Sequence, residues 1–333
     1  MFTAAECERL VGEWANGVEL TDIVGIAEVL RRGRLVPPLR TVVCCDSLVF
    51  TYGDLAEYLG RPACVDNPML ADLLRLVSDV DAATRTGAAL PLTTADGRTV
   101  LLTPGAVAAA VADRRSVAAH TRGNGDRATG SADVRLIVPP WGGADLLIEL
   151  LAAIADGAAL ILATEEPRHD PSALVDLIAE RSVTHVVADA HTLARLGHIG
   201  ATALPTVRRW DVTQTHSPAS LPELLLALAS GSVGSVTYRA TAYAGPVARG
   251  RLDGTGRVRP VPGARVLVLD ESRHPVPPGV IGEVYIGGAA LVTGFADITD
   301  HFVADPHRAN GRLFRTGDHA HWTSDGWLAA VTP

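Results

Sequence analysis

Two pairs of side chains have types and spacings that could do chemistry. His319 and His321 flank Ala320, and alternate residues of one strand could share a metal ion. His185 and Asp189 have the HxxxD spacing of a condensation motif, but the preceding histidine and the following glycine of that motif are missing. No cysteine or third ligand is near His319 in sequence, and His185 falls on a predicted buried strand. We therefore expect no metal site and no condensation chemistry from these pairs.

The sequence lacks one residue type completely, and this absence excludes several kinds of chemistry. All 29 basic residues are arginine, so the chain has no lysine. This excludes a Walker-type phosphate loop, a Schiff-base enzyme and a ligase whose catalysis needs an ammonium group from this chain.

Composition bounds the class of protein and its surroundings. The 333 residues are 47% hydrophobic, which is enough for a large core divided into two or three subdomains. The formal net charge of −8 argues against a nucleic-acid or membrane-surface partner. The N-terminus has no signal-peptide pattern, and no apolar run reaches the length of a membrane span. Four cysteines (Cys7, Cys44, Cys45 and Cys64) are too few for a disulfide scaffold, so we expect a cytoplasmic protein.

Hydrophobic periodicity predicts the elements that position candidate residues. The first 20 residues predict an amphipathic helix, and two short apolar runs before Asp54 predict a hairpin followed by a helix that Asp54 caps. Residues 144–187 read helix, strand, helix, strand, which indicates a parallel sheet covered by helices. Residues 121–131 are linker-like, and the region from about Ser235 is rich in strands.

These patterns predict four segments. Residues 1–60 form a linker helix and hairpin, residues 61–130 a segment whose pattern is harder to interpret, residues 131–234 an α/β unit, and residues 235–333 a β-rich subdomain. The fold class is α/β, with a parallel or mixed sheet layered with helices and a smaller barrel-like β-rich subdomain.

Several motifs resemble one protein family in their order and spacing. GEVYIGG begins at Gly282, FRTGDHA at Phe314 and SDGWL at Ser324, while FTYGDL begins further upstream at Phe50. Together they resemble the adenylation domains of nonribosomal peptide synthetases, within the AMP-forming acyl-adenylate ligase superfamily. The resemblance spans nearly the whole chain and implies the large-subdomain fold of those ligases. It also implies that residues 61–130 are a shortened remnant of the family's first lobe and that residues 131–234 are its second lobe. The C-terminal mobile subdomain, with its adenylation lysine, is expected to be absent from the sequence up to Pro333.

The resemblance implies a vestigial nucleotide site. Asp318 matches the family's ribose-binding aspartate, and the rival interpretation is a turn aspartate that accepts local backbone hydrogen bonds. Tyr238 and Thr241 match the residues placed against the adenine and the α-phosphate. Thr93 and Thr94 retain hydroxyls of the phosphate loop, whose glycines are reduced to one.

Other positions of the resemblance have lost their chemistry. Ala242 stands where the family has its Mg²⁺-binding glutamate, so no metal site is expected, and Arg239 replaces a glycine. Ala144 stands where the family has the aspartate that pairs with a substrate amino group, and Asp145 lies one residue further. Trp141 remains as a wall of a vestigial substrate pocket.

The resemblance together with these losses predicts a truncated, degenerate adenylation domain that is inactive in adenylation and serves a structural or docking role. No cofactor is then expected. One alternative is a working adenylating enzyme that uses ATP and Mg²⁺ and is completed by parts supplied elsewhere. Another is a regulatory nucleotide-binding module that uses Asp318, Tyr238 and Thr241. The implied partners are neighbouring condensation and carrier domains and a small adenylation-domain accessory protein.

Overall fold

The structure is a computed structural model that describes residues 4–21, 23–45, 48–61, 65–121, 133–138, 140–199, 203–296 and 301–332. Its α-helices are α1 (Ala4–Glu8), α2 (Ile26–Gly33), α3 (Tyr52–Gly60), α4 (Pro68–Thr86), α5 (Pro104–Thr121), α6 (Gly143–Asp156), α7 (Glu165–His169), α8 (Pro171–Glu180), α9 (Ala190–Ala194) and α10 (Leu221–Leu228). A π-helical stretch (Arg9–Trp14) continues α1, and a 3₁₀ turn (Arg195–His198) follows α9.

The strands are β1 (Thr41–Cys45), β2 (Leu48–Thr51), β3 (Leu90–Thr93), β4 (Thr99–Leu102), β5 (Val134–Ile137), β6 (Ala159–Leu162), β7 (His185–Ala188), β8 (Arg209–Val212), β9 (Val233–Arg239), β10 (Pro246–Arg251), β11 (Arg259–Pro260), β12 (Ala264–Leu269), β13 (Gly282–Gly288), β14 (Gly294–Phe295), β15 (Phe302–Ala304), β16 (Arg312–Trp322) and β17 (Leu328–Thr332).

The largest sheet has nine strands in the order β11–β10–β9–β8–β7–β5–β6–β1–β2. The six central strands, β9, β8, β7, β5, β6 and β1, pair in parallel. Strands β10 and β11 at one end and β2 at the other are antiparallel additions. Helix α6 packs against this sheet and is in turn contacted by α2, α4 and α5. Leu147, Leu150 and Leu151 of α6 are fully buried, so the core lies along this helix.

Two antiparallel sheets complete the fold. One has β12, β13, β16 and β15 side by side, with β17 also paired to β16, and it curls into a half-barrel. The other joins β3 and β4 to β14, so the hairpin that begins at Leu90 is held by a strand from the C-terminal region. The predicted α/β class, with a layered mixed sheet and a smaller barrel-like β-rich part, is confirmed.

The N-terminal helix packs against the half-barrel of its own chain. The Trp14 ring lies 6.2 Å from that of Trp322, and Val266 N–H donates to the Ala15 carbonyl at 2.7 Å. The Arg265 guanidinium donates to the Val11 carbonyl at 3.0 Å. These contacts anchor the beginning of the chain on the β-rich part.

Local predictions are confirmed with small corrections. The predicted hairpin and helix are present, but Thr51 caps α3, because its hydroxyl accepts from the Asp54 N–H. Asp54 is wrong as the cap and instead completes a capping box by accepting from the Thr51 N–H at 2.8 Å. Cys64 and most of the 121–131 linker lie outside the described residues. The four-segment division stays a prediction.

Candidate functional site

Two cavities lie beside each other where the strand ends of the large sheet meet the β3–β4 hairpin. The smaller cavity has a volume of about 200 Å³ and the larger about 230 Å³. The residues that line both cavities are Ala95, Asp145, Arg239 and Gly245. The remaining lining of the smaller cavity is Thr94, Asp96, Val100, Leu102, Ala144, Ala240, Thr241, Tyr243, Ala244 and Val292.

The smaller cavity brings several predicted site residues together. Thr94, Ala144, Asp145 and Thr241 all line it. Thr93, an exposed residue at the end of β3, does not line it. The close approach of these parts depends on Gly142, since a Cβ there would lie 2.3 Å from the Thr94 carbonyl carbon. A glycine at this position therefore lets the hairpin reach the beginning of α6.

Asp96 occupies the space between the two threonine hydroxyls. Thr241 Oγ1 donates to its carboxylate at 3.1 Å, and Thr94 Oγ1 donates to the other carboxylate oxygen. Arg98 Nε is 3.4 Å from the same carboxylate. Burial alone would raise the pKa of Asp96. Hydrogen bonds from Thr94 and Thr241, with the charge of Arg98, outweigh burial and hold this pKa below its ordinary value. The smaller cavity therefore contains a fixed negative charge at neutral pH.

A salt bridge between Arg239 and Asp145 stands at the border of the two cavities. Arg239 ends β9, and its guanidinium donates to an Asp145 carboxylate oxygen. The other Asp145 oxygen accepts from the Gly142 N–H at 3.2 Å and so satisfies the beginning of α6. Both carboxylate oxygens of Asp145 therefore accept hydrogen bonds from groups of the same chain.

Tyr238 and Asp318 form a second pair of predicted site residues. The Tyr238 hydroxyl donates to Asp318 Oδ2 at 2.6 Å, although 80 residues separate them in sequence. Strand β16 is irregular at Asp318. Between the pairs Glu283–His319 and Tyr285–Arg315, β13 advances by two residues and β16 by four, and Gly317 has φ +83°. Burial raises the pKa of the Asp318 carboxyl, while Tyr238 and His319 act in the opposite direction. Neither Tyr238 nor Asp318 is among the residues that line the two cavities.

The positions predicted for metal and substrate groups are filled by apolar side chains. Ala242 is fully buried, and its carbonyl accepts from the Val292 N–H at 2.9 Å. Ala144 presents a methyl group where a substrate amino group would need a carboxylate. Trp141 lines the larger cavity, and its role as a wall of a substrate pocket stays a prediction. Within the described ranges, no group of three or more His, Cys, Asp and Glu side chains could hold a metal ion.

The larger cavity has a buried ionic cluster that the sequence did not reveal. Arg114 of α5 donates from Nε to Glu149 and from Nη1 to Asp211, both at 2.8 Å. Asp211 also accepts from Arg209 at 2.7 Å and from the Ser235 hydroxyl at 2.7 Å. Burial alone would raise the pKa of Asp211. The charges of Arg209 and Arg114 outweigh burial and hold this pKa well below its ordinary value. Periodicity alone could not separate Arg114 from an exposed helix residue.

His185 and Asp189 both have structural surroundings. His185 is fully buried on β7, and its Nδ1 lies 2.8 Å from the Thr184 hydroxyl. Burial, chiefly, lowers the pKa of His185 to about 3, so the ring is neutral at pH 7. Asp189 caps α9 by accepting from the Thr192 N–H at 2.8 Å. The HxxxD spacing thus serves the fold.

Across the described residues, no helix has the length and apolarity needed to cross a bilayer.

Comparisons with known proteins agree with this architecture. The AMP-binding enzyme family matches residues 93–296. CymA of Salinispora arenicola, a probable non-canonical nonribosomal peptide synthetase, is 36% identical over 230 residues, which are 66% of this chain and 3% of that protein. Novobiocin biosynthesis protein H of Streptomyces niveus is 35% identical over 211 residues, which are 60% of this chain and 34% of that protein. The chain therefore spans only a small part of these relatives.

Solved structures show the same fold. The nonribosomal peptide synthetase FmoA3 in its AMPPNP-bound form superposes with a TM-score of 0.78 at 16% identity, over 99% of this chain and 45% of that one. CmiS6 superposes with a TM-score of 0.69 at 16% identity, over 94% of this chain and 97% of that one. The family match over residues 93–296, together with the relatives among peptide synthetases, shows that the chain belongs to the AMP-binding enzyme family, as an adenylation-like domain related to nonribosomal peptide synthetases.

Proposed function

We propose that this adenylation-like domain does not catalyse adenylation and serves as a structural, domain-docking part of a peptide synthetase. One observation carries the proposal. In the segments that resemble the family's phosphate loop and substrate anchor, the chain pairs its own charges: Asp96 is held by Thr94 and Thr241, and Asp145 is held by Arg239.

The Asp96 carboxylate opposes a bound triphosphate. Two like unit charges 4 Å apart repel by about 1 kcal/mol in water and by at most about 4 kcal/mol near a protein surface. Asp96 is ionised at neutral pH and cannot leave without breaking its hydrogen bonds to both threonines. Because Ala242 supplies no carboxylate for Mg²⁺, the metal that would offset this repulsion lacks a protein ligand at that position.

The docking part of the proposal rests on exposed apolar residues in the first 60 positions. The N-terminal helix is not free for a partner over its inner side, because Leu10 and Ala15 are buried against the chain itself. Beyond that helix, large apolar side chains remain exposed at Val18, Ile23, Leu35, Leu39, Leu48 and Val49. We propose that neighbouring condensation or carrier domains, or a small accessory protein, cover this segment over at least about 1,000 Å².

Pyrophosphate exchange tests the catalytic half of the proposal. We expect the purified chain to give only background exchange with a panel of amino and aryl acids, in the presence of ATP and Mg²⁺. Calorimetry should show ATP and AMP binding with a Kd above about 1 mM. Exchange above background with any acid would refute the proposal and support the enzyme completed from elsewhere.

The Tyr238–Asp318 pair favours one second candidate, a regulatory nucleotide-binding module. Asp318 is presented on β16 and keeps one carboxylate oxygen beyond the hydrogen bond from Tyr238. Micromolar AMP affinity that disappears in Asp318→Ala but persists in Asp325→Ala would establish this module. Asp325 is the matched control because it is an exposed turn aspartate on the same subdomain.

A further inference from the structure

A groove separate from the two cavities lies between α10 and the β11 end of the nine-stranded sheet. Residues of β8, β9, β10 and β11 line it together with α10 and Trp327. None of the predicted nucleotide or substrate residues, all of which the structure describes, lines this groove. Its volume is about 1160 Å³, whereas pockets for small molecules have about 300–1,000 Å³. A groove of this size suits a segment of polypeptide.

Apolar side chains are exposed along this groove. Leu226 of α10 is 53% exposed and Val233 of β9 is 47% exposed, and both line it. Leu252 and Trp327, which are partly exposed, belong to the same lining. Apolar side chains that share one groove, in contrast to single scattered ones, mark an interaction surface.

The charged side chains that line the groove are mainly positive. Four of them are arginines and one is Glu223, although the whole chain has a net charge of −8. Two of the arginines are compensated by carboxylates of the same chain. Arg209 binds Asp211 at 2.7 Å, and Arg249 binds Asp113 at 2.8 Å.

The other two arginines, Arg251 and Arg259, are exposed and form no salt bridge with any residue that the structure describes. The guanidinium of Arg259 lies 4.3 Å from the centre of the Trp327 ring and donates to the Asp325 carbonyl at 2.7 Å. These contacts orient the guanidinium group of Arg259. They leave its positive charge without an anionic partner.

Two carboxylates near these arginines are engaged within turns of the chain. Asp253 accepts from the N–H and the hydroxyl of Thr255, at 3.0 and 2.6 Å. Asp325 accepts from the Thr323 hydroxyl at 2.6 Å and lies 3.7 Å from Arg257. Neither of them forms a salt bridge with an arginine that lines the groove.

Strand register sets the spacing between the two uncompensated arginines. Arg249 lies opposite Arg259 in the antiparallel pair of β10 and β11, and Arg251 follows two residues later on the same face of β10. Such diagonal neighbours are about 7–8 Å apart. Alternate side chains of an extended peptide are about 7 Å apart and point to the same side. An extended segment with carboxylates at alternate positions therefore matches Arg251 and Arg259.

We propose that this groove binds an extended peptide segment of a partner protein, with acidic residues at alternate positions and one large apolar side chain. The carboxylates bind Arg251 and Arg259, and the apolar side chain packs against Leu226 and Trp327. Charge complementarity is the reason for an acidic partner. This inference goes beyond the proposed function, because it concerns neither adenylation nor the surface of residues 1–60.

Fluorescence anisotropy with short labelled peptides tests the inference on the unaltered chain. Each probe has a central Leu, Phe or Trp and two Glu residues at alternate positions. Matched peptides carry Gln or Lys in place of both Glu residues, or place the two Glu residues side by side. We expect the probes with alternate Glu residues to bind at least about fivefold more tightly than each matched peptide. Raising the salt concentration from about 0.05 to 0.5 M should weaken their binding.

Exposed substitutions locate the binding. Replacing both arginines, Arg251→Gln with Arg259→Gln, should weaken probe binding at least about fivefold, whereas Arg34→Gln, an exposed arginine outside the groove, should not. Leu226→Glu should also weaken binding, and Leu39→Glu, at a position 91% exposed and outside the groove, should leave it unchanged. Circular dichroism checks that each variant folds. If the double variant does not fold, Leu226→Glu and the matched peptides decide.

Each other outcome overturns the inference. Equal affinity for Glu and Gln peptides would show that the arginines bind no carboxylate, and tighter binding of Lys peptides would reverse the assigned charge. Absence of binding by every probe would show that the groove takes no such segment. Sedimentation with phosphatidylserine vesicles that requires both arginines, without any peptide binding, would show a membrane surface instead. Pyrophosphate exchange is measured separately, so failure of this inference and failure of the proposed function are distinguishable.

Discussion

Replacing Arg114 by methionine should destabilise the chain by about 3 kcal/mol. The Arg114 side chain is 6% exposed, and its partners Glu149 and Asp211 are 13% and 8% exposed. Removing one member of a buried ion pair typically costs about 3–5 kcal/mol, because the remaining charge is left without compensation. Asp211 keeps Arg209 and Ser235, so the loss falls mainly on Glu149, and we expect the lower end of that range.

Urea unfolding followed by circular dichroism would measure this loss as a difference in free energy of unfolding. Arg75→Met is the matched control, because the Arg75–Asp72 pair is 67% and 69% exposed and its loss should change stability by no more than about 0.5 kcal/mol. Adding Glu149→Gln to Arg114→Met should restore at least about 1 kcal/mol, since it removes the uncompensated charge. A loss for Arg114→Met no larger than that of the control would refute the reasoning.

Three further predictions follow from single contacts. Thr51→Ala should cost about 1 kcal/mol in urea unfolding through loss of the α3 cap, and an unchanged stability would contradict the capping box. Gly142→Ala should cost about 1–3 kcal/mol, since its Cβ would lie 2.3 Å from a backbone atom of Thr94, whereas Gly60→Ala, with open space around it, should cost nothing measurable. Because the pKa of Asp211 is lowered in the folded chain, its stabilising contribution is complete above its unfolded pKa of about 3.9 and declines as pH falls below that value. Acid titration by circular dichroism should show this decline, and Arg114→Met should show a smaller one.

Local sequence patterns determined much of the fold. Leucines at helical spacing before Gly157 define α6, and Gly157 ends it in the left-handed conformation that favours glycine. Asp170 followed by Pro171 begins α8 as predicted, since the carboxylate caps the helix and proline suits its first position. These features depend on neighbours a few residues away, so periodicity and capping chemistry suffice to predict them. Hydrophobic periodicity does not predict the short helix α7, because five residues are too few to show a helical repeat.

The order and spacing of the motifs also indicated the family, and the structure places GEVYIGG and FRTGDHA on the adjacent strands β13 and β16 of one sheet. The sequence further predicts which family residues are replaced, including by the alanine at position 242. It could not show what fills their places.

Only the tertiary structure decided how the site is occupied. Asp96 and Thr241 are 145 residues apart, and Arg114 and Asp211 are 97 apart. Arg239 was recognised in the sequence as an added charge, but its partner Asp145 lies 94 residues away. Such pairs form only when the β3–β4 hairpin, α5, α6 and β9 pack together, and a charge gains its partner from that packing. No local pattern encodes it, because the same arginine on an exposed helix would have the same neighbours in sequence.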